Sequence, residues 1–120
     1  MTDAERPLLI SQESHPSGRL LLRVSGDLDH HTSSHLNQAV AGMTFTPAAD
    51  VIVDLTELEY CDSTGLTALI STYQRAQAAG ATLCMAGLNS GLERIVRITG
   101  LDQVFVIYPT VEEALAGLRS

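Results

Sequence analysis

Residues 51–66 read VIVDLTELEYCDSTGL and decide the class of fold. The segment opens on the apolar run 51–55, which is typical of a strand that is buried on both faces of a sheet. A short polar connection and the residues DSTG (62–65) then lead into a helical pattern. That pattern is carried by apolar residues at helical spacing, namely Leu66, Leu69, Ile70, Tyr73 and Ala76. A buried strand followed by an amphipathic helix predicts an α/β fold.

Ser63 is predicted to lie where the polar connection turns into the helix N-terminus. Free backbone N–H groups at such a position favour a negatively charged group, such as a phosphate. A small hydroxyl there suits a reversible change of charge. The simpler interpretation is that Asp62 and Ser63 only cap the helix, which is the commonest role of these residue types at a helix start. The two interpretations are compatible, because Asp62 can cap the helix while Ser63 stays exposed.

The remaining chain shows the same alternation of strand and helix patterns. Strands are predicted at 8–10, 20–24, 51–55, 82–86 and 104–107, with a turn at 16–18. Helices are predicted to start at or near Thr32, Ser63, Ser90 and Thr110. The order ββαβαβαβα predicts one α/β domain at 8–120, with a mixed β-sheet covered by amphipathic helices. Residues 1–7 are predicted to form a flexible tail.

The helix ends and inner faces follow from local signals. Capping boxes are predicted from Ser90 with Glu93 and from Thr110 with Glu113, and Gly80 is expected to end the second helix. Asp29 is expected to cap the first helix. The apolar residues that we expect to face the sheet from the other three helices are Leu36, Ala39, Val40, Met43, Leu92, Ile95, Val96, Val111, Ala114, Leu115 and Leu118.

The composition is that of a small acidic globular protein. The chain has 120 residues, of which 45% are hydrophobic and 18% are charged, and this fits one domain with a single core. No apolar run approaches the ~18 residues of a membrane span, and the polar N-terminus carries no signal peptide. We therefore expect a cytoplasmic protein without membrane contact. The net charge of −7 argues against nucleic acid, and a protein partner is expected to present basic groups.

Several kinds of chemistry are excluded by the residue types present. All seven basic residues are Arg, so the chain has neither a P-loop lysine nor a Schiff-base lysine. No G-x-S-x-G or G-x-G-x-x-G motif occurs. Cys61 and Cys84 form no CxxC motif, which suits a reducing compartment. The cluster His30, His31 and His35 fixes no third ligand by its spacing, so we expect no metal site and no cofactor.

The outer face of the second helix is unusually small and uncharged. Ser63, Thr67 and Ser71 recur on it at helical spacing, and Ala68 and Thr72 flank them. A helix that faces only solvent more often carries Glu, Lys or Arg. The face is therefore either a docking stripe for a partner or a plain Ser/Thr/Ala-rich surface.

Two motifs give the chain a resemblance to the STAS-domain anti-sigma factor antagonists of bacteria. Residues 26–32, GDLDHHT, resemble the G-[ED]-[LI]-D motif that follows the second strand in that family. Residues 62–66, DSTGL, resemble its D-S-[ST]-G-L phosphorylation motif. The order of elements and the spacing of the motifs also agree, so the resemblance covers nearly the whole chain. Two positions depart from the pattern, since Thr67 stands where many members have Gly and Cys61 replaces a bulkier apolar residue.

The resemblance implies a binding module that is switched by phosphorylation and is not itself an enzyme. It implies that the unmodified protein binds an anti-sigma factor and frees the sigma factor. It also implies that this anti-sigma factor is a serine kinase that phosphorylates Ser63, and that a PP2C-type phosphatase resets the switch. The residues expected to bind the partner are Asp27, Asp29, Asp62, Ser63, Thr64, Gly65, Thr67 and Ser71.

Two alternative functions remain open from the sequence. The chain could be a STAS scaffold or sensor subunit of a larger regulatory assembly, with a serine that is rarely or never modified. It could also be a small enzyme with Ser63 as the nucleophile, although no histidine is placed by the sequence to act as its base.

Overall fold

The computed structural model describes residues 7–117, and within them strands and helices alternate in one α/β domain. The strands are β1 (Leu9–Ser14), β2 (Leu20–Leu28), β3 (Asp50–Asp54), β4 (Leu58–Cys61), β5 (Thr82–Ala86) and β6 (Val106–Tyr108). The helices are α1 (Ser33–Ala41), α2 (Ser63–Ala78), α3 (Ser90–Ile98) and α4 (Val111–Gly117), with a single 3₁₀ turn at Leu101–Gln103. Most of the predicted tail at 1–7 and the predicted core residue Leu118 lie outside the described residues.

The sheet is mixed, as the sequence predicts. Its strand order is β1-β2-β3-β5-β6, and β4 pairs with β2 beside this path. The turn at 16–18 joins β1 to β2, and these two strands are antiparallel. Strands β2, β3, β5 and β6 are parallel to one another. Each parallel connection needs a crossover, and α1, α2 and α3 supply them. The predicted fold class is thereby confirmed.

Strand β4 is absent from the predicted order, which treated the segment after β3 as a polar connection. The N-terminal half of β2 pairs with β3, and its C-terminal half pairs in parallel with β4. The Gly26 N–H donates to the Glu57 carbonyl at 3.1 Å, where the chain passes from β3 to β4. Strand β2 accordingly runs to Leu28, so the prediction that it ends at 24 is wrong. Residues 26–28 belong to a strand and not to the loop after one.

The core lies between the sheet and the three helices α1, α2 and α3. Strand β3 is buried on both faces as predicted, because Val51 and Val53 join that core while Ile52 faces the opposite side. On that side, Ala114 of α4 packs against Ile52, Cys84 and other sheet residues. Both cysteines are free thiols. No helix within residues 7–117 is long and apolar enough to cross a membrane.

Helix α2 begins at the predicted residue, Ser63, and its chain reverses through Gly80, whose φ is +80°. Two residues expected to flank its outer face are buried instead: Ala68 and Thr72 point into the core, and the Thr72 hydroxyl donates to the Ala68 carbonyl at 2.9 Å. The exposed stripe is therefore narrower than the sequence suggests, and it is carried by Ser63 and Thr67 with Ser71 half-buried.

Helices α3 and α4 confirm one predicted cap and correct the other. The Thr110 hydroxyl accepts from the Glu113 N–H at 3.1 Å, as expected. The cap of α3 is Asn89 and not Ser90, because the Asn89 side chain accepts from the Leu92 N–H at 2.8 Å. The inner face of α3 is also narrower than predicted, since Ile95 is 40% exposed. The last strand begins at Val106 and not at 104, because Val104 follows the 3₁₀ turn with a helical backbone conformation, at φ −102° and ψ −48°.

Gly65 fixes how closely α2 approaches the end of β2. A Cβ at this position would overlap the Leu28 carbonyl oxygen and would lie 2.9 Å from the Leu28 Cγ. The first turn of α2 therefore packs directly on the β2 backbone. Only glycine allows this distance, and the resulting contact sets the position of Ser63 relative to the strand.

We expect Gly65→Ala to lower the free energy of unfolding by about 1–3 kcal/mol, as other overpacking substitutions do. The matched control is Gly91→Ala in the first turn of α3, where the nearest atom to an added Cβ is the Asn89 Oδ1 at 3.4 Å. Alanine favours a helix over glycine, so this control should be neutral or stabilising by up to ~1 kcal/mol. Urea unfolding followed by circular dichroism measures both. An equal loss in the two variants would contradict the close approach at Gly65.

Candidate functional site

The two sequence motifs meet at the pairing of β2 with β4. Leu28, near the end of the first motif's strand, lies opposite Cys61, which precedes the second motif. The ladder continues one step further, because the Asp62 N–H donates to the Leu28 carbonyl at 3.2 Å. Segments that are far apart in sequence, 26–32 and 62–66, are thereby joined at one edge of the molecule. We call the exposed first turn of α2 at this edge, residues 62–64 and 67, the Ser63 lip.

Asp62 is bonded to both motifs through its carboxylate. The Oδ1 atom accepts from the Gly65 N–H at 2.8 Å and so caps α2, while Oδ2 accepts from the His30 N–H at 3.2 Å. The His30 ring nitrogen Nδ1 lies 3.6 Å from the same Oδ2. The Asp62 carboxylate thus holds the first turn of α2 and the start of the His30–His31 segment together. The predicted capping role of Asp62 is confirmed.

Asp29 organises a tight turn before α1. Its Oδ1 accepts from the His31 N–H at 2.9 Å and the Thr32 N–H at 3.1 Å, and it lies 3.2 Å from the Thr32 hydroxyl. The Asp29 carbonyl also accepts from the Ser33 N–H at 2.8 Å. Thr32 is the residue at the N-cap position, but its side chain makes no cap hydrogen bond to the helix. The side chain of Asp29 therefore binds the N–H groups at the entry to α1, and only 6% of the residue is exposed.

The hydrogen bonds of Asp29 keep its carboxylate ionised. Burial disfavours the charged form, but the hydrogen bonds from the backbone of His31 and from the backbone and hydroxyl of Thr32 outweigh it. The pKa of Asp29 consequently lies below that of an ordinary aspartate. The charge is part of the folded turn and does not project freely into solvent.

The expected binding residues divide by exposure. Ser63, Thr64 and Thr67 are exposed, and Asp62 and Ser71 are half-buried. Within residues 7–117 the hydroxyls of Ser63 and Thr64 have no hydrogen-bond partner, whereas the Thr67 hydroxyl donates to the Ser63 carbonyl at 2.9 Å. Three expected residues are buried, namely Asp27, Asp29 and Gly65. These three can shape the site, but they present little surface to a partner.

Cys61 adjoins the Ser63 lip without adding a nucleophile. Burial, reinforced by the charge of Asp62, raises the pKa of the Cys61 thiol to about 12. The thiolate form is therefore negligible at neutral pH. Within residues 7–117, three His, Cys, Asp or Glu side chains nowhere come together as metal ligands. The His30 and His31 rings contact each other at a tilt of 40°, with centroids 3.9 Å apart.

A groove beside the Ser63 lip was not predicted from the sequence. It has a volume of about 220 Å³ and runs between β4 and the N-terminal half of α3. Two exposed apolar side chains flank it, Tyr60 and Ile95, at 52% and 40% exposure. An aromatic residue within an otherwise polar segment was the available signal, but the position of α3 against β4 depends on tertiary packing.

Asp29→Ala should lower the free energy of unfolding by about 1–3 kcal/mol at pH 7, because it removes the charged acceptor of the His31 and Thr32 N–H groups. A carboxylate with a lowered pKa stabilises the fold above the unfolded value of about 3.9, and that stabilisation disappears as the pH falls through the folded value. The difference between parent and variant should therefore shrink as the pH falls below about 4. Urea unfolding across this range measures it.

Asp29→Asn is the control, because it keeps an acceptor oxygen and removes the titrating group. It should lose less stability than Asp29→Ala and show a weaker acid-side dependence than the parent. An Asp29→Ala deficit that stays constant down to pH 3 would show that ionisation of Asp29 does not contribute.

Comparison with known proteins agrees with this architecture. The family model for the STAS domain matches residues 10–114. The "Anti-sigma F factor antagonist" of Paenibacillus polymyxa is 30% identical over 113 residues, which cover 93% of this chain and 96% of that protein. The crystal structure of an anti-sigma factor antagonist from Mycobacterium paratuberculosis superimposes with a TM-score of 0.76 at 26% identity, covering 95% of this chain and 96% of that one.

A further structure shares the fold at lower identity. The Bacillus cell fate determinant SpoIIAA in its phosphorylated form has a TM-score of 0.63 and 18% identity, and the match covers 92% of this chain and 99% of that one. The likeness at this identity concerns the fold alone. The family match and the relative from Paenibacillus polymyxa extend over nearly the whole chain. The protein therefore belongs to the STAS domain family, and the curated relatives it resembles are anti-sigma factor antagonists.

Proposed function

We propose that this protein is an anti-sigma factor antagonist whose binding is switched off by phosphorylation of Ser63. The unmodified protein binds an anti-sigma factor that is also a serine kinase, and the sigma factor is released. A PP2C-type phosphatase restores the unmodified form. The kinase partner brings ATP and the catalytic groups, so this chain acts as ligand and as substrate of its partner.

The observation that carries the proposal is the state of Ser63. Its hydroxyl is exposed and has no hydrogen-bond partner within residues 7–117, while the neighbouring Asp62 and Thr67 side chains are both engaged. A kinase can therefore reach the hydroxyl without breaking a hydrogen bond of the fold. The names of the relatives and the existence of a phosphorylated SpoIIAA with the same fold support the assignment.

The shape of the surface supports a protein partner. The exposed hydroxyls of the Ser63 lip are small, and the neighbouring groove is flanked by Tyr60 and Ile95. Aromatic and aliphatic side chains in a pocket, next to a polar rim, are the usual composition of a binding hot spot. The acidic character of the chain, with a net charge of −7, favours a partner that presents basic groups there.

The expected sign of the switch follows from the charges. A phosphate adds about −1.5 to −2 charges at neutral pH. The N-terminus of α2 returns only about 0.3–1 kcal/mol of favourable field. Desolvating this group against a partner, next to Asp62, is expected to cost about 3 kcal/mol, which is more than a hundredfold in affinity. Phosphorylation therefore favours release.

The alternative of a serine enzyme has no support in the site geometry. An activated serine needs a base within hydrogen-bond reach, and within residues 7–117 the Ser63 hydroxyl is bonded to no histidine. The His30 ring lies against Asp62, with Nδ1 3.6 Å from Oδ2. We therefore assign Ser63 the role of modification site.

Incubation with the cognate kinase and ATP should add one phosphate, located on Ser63. Thr64 is the adjacent exposed hydroxyl, so the variants Ser63→Ala and Thr64→Ala form a matched pair. The first should abolish incorporation, and the second should leave the site available. Intact mass and peptide mapping provide the measurement. A phosphate found on Thr64, or incorporation that survives in Ser63→Ala, would exclude Ser63 as the switch.

Ser63→Glu should bind the purified anti-sigma factor more weakly than the parent, and Ser63→Ala should bind about as tightly. Glutamate adds roughly one charge, less than phosphate, so the loss should be smaller than the hundredfold expected for phosphoserine. Alanine keeps the lip small and uncharged, at a cost of at most about 1 kcal/mol of helix stability. Isothermal titration calorimetry measures both affinities.

The control for net charge is Ser17→Glu, which adds the same charge in the exposed turn between β1 and β2, at the opposite end of β2 from the lip. It should bind like the parent. If Ser63→Glu binds as tightly as Ser17→Glu, or if folded Ser63→Ala loses binding, negative charge at Ser63 is not the signal for release.

A further inference from the structure

We propose that Asp62 is a positioning residue that couples the charge state of Ser63 to the His30–Thr32 segment. The inference rests on the proposed function for its biological meaning, because that function supplies the change of charge at Ser63. The coupling itself is a property of the free protein, without its partner. The coupling would transmit phosphorylation from the first turn of α2 to the turn that precedes α1.

The first observation is that one carboxylate accepts from two separate segments. Oδ1 takes the Gly65 N–H at 2.8 Å, within α2, and Oδ2 takes the His30 N–H at 3.2 Å, after β2. A helix cap needs only the first of these bonds. The second bond ties α2 to a segment more than thirty positions earlier in the chain. Asp62 therefore does more than cap the N-terminus of α2.

The second observation is that the tied segment is itself continuous with a rigid turn. His30 is followed by His31 and Thr32, whose N–H groups are both held by Asp29 Oδ1 at 2.9 and 3.1 Å. Asp29 itself is buried, and the turn leads into α1. A movement of the His30 backbone should therefore also shift His31 and Thr32, because no long loop separates them from it.

The third observation is the position of Ser63 directly after Asp62. Its N–H and that of Thr64 have no acceptor within residues 7–117, so they are the donors nearest to a phosphate on Ser63. A phosphate that accepts from these two N–H groups would lie next to the Asp62 carboxylate, and it would repel that carboxylate by its charge. Displacing the Asp62 side chain breaks both of its hydrogen bonds, including the one to His30.

The chemistry of Asp62 offers a substitution that separates its two roles. Asparagine caps a helix as well as aspartate does, so Asp62→Asn keeps an oxygen for the Gly65 N–H. Its amide nitrogen then faces the His30 N–H, and two donors cannot form a hydrogen bond. Asp62→Asn therefore preserves the cap and removes the link to His30.

Asn89 provides a mirror-image control on α3. Its Oδ1 accepts from the Leu92 N–H at 2.8 Å as a cap, and its Nδ2 donates to the Leu58 carbonyl at 3.1 Å. Asn89→Asp keeps this cap and removes this link, since the new carboxylate oxygen faces an acceptor. The two variants make the same change of one atom, in opposite directions, at two neighbouring helix caps.

Amide hydrogen exchange and amide chemical shifts, measured by NMR on the free protein, test the coupling. Loss of a hydrogen bond to a charged acceptor should speed exchange of the His30 N–H about tenfold in Asp62→Asn. Asn89→Asp should leave His30, His31 and Thr32 unchanged. Ser63→Glu should perturb the same amides in the parent background, and this effect should vanish when Ser63→Glu is combined with Asp62→Asn.

The inference is overturned if Ser63→Glu perturbs His30–Thr32 equally in both backgrounds, or if Asp62→Asn and Asn89→Asp alter these amides alike. Neither readout uses the partner. A coupling that is present in the free protein, together with unchanged partner binding by Ser63→Glu, would refute the proposed function and leave the positioning role of Asp62 standing. Absence of coupling with normal switching would refute only the positioning role.

Discussion

The pairing of β2 with β4 is the interaction on which the geometry of the site depends. It lengthens β2 to Leu28, places Cys61 opposite that residue, and delivers Asp62 to the Leu28 carbonyl. Without this short ladder the two motifs would lie on separate loops. Because the pairing is parallel and the contact is non-local, the chain must close a long segment that contains α1 and β3 before the site exists. Gly65 then allows α2 to pack on the same backbone.

Fold class was predictable because its signals are local. The apolar run of β3, the helical spacing after Ser63, and the capping of α2 by Asp62 all lie within a few residues of one another. Strand β4 was not predictable, since its four residues are too few to show a period and its partner lies more than thirty positions away. The cap of α3 was misplaced by one residue because Asn89 and Ser90 are both good caps, and only packing selects between them.

The exposure of the expected binding residues could not be predicted from the sequence. Three aspartates were expected to face a partner, namely Asp27, Asp29 and Asp62, and the structure buries the first two. The buried Asp29 carboxylate accepts hydrogen bonds from three donors, whereas Asp62 remains partly exposed between two segments. Burial of this kind depends on the path of β2 and on the turn before α1, so a motif alone cannot reveal it. Tyr60 and Ile95 were missed for the same reason.

The position of Ser63 at the first residue of α2 has a consequence for local unfolding. A side chain that enters the cleft of another protein needs some extension of its own backbone. A residue within the helix, such as Ser71, could extend only if hydrogen bonds on both sides of it opened together. Ser63 has its N–H outside the helical ladder, and extension from its N-terminal side leaves the rest of α2 in place. Local opening at Ser63 therefore has to release the hydrogen bonds of Asp62 but not those inside the helix, and we expect it to cost less free energy than opening at Ser71.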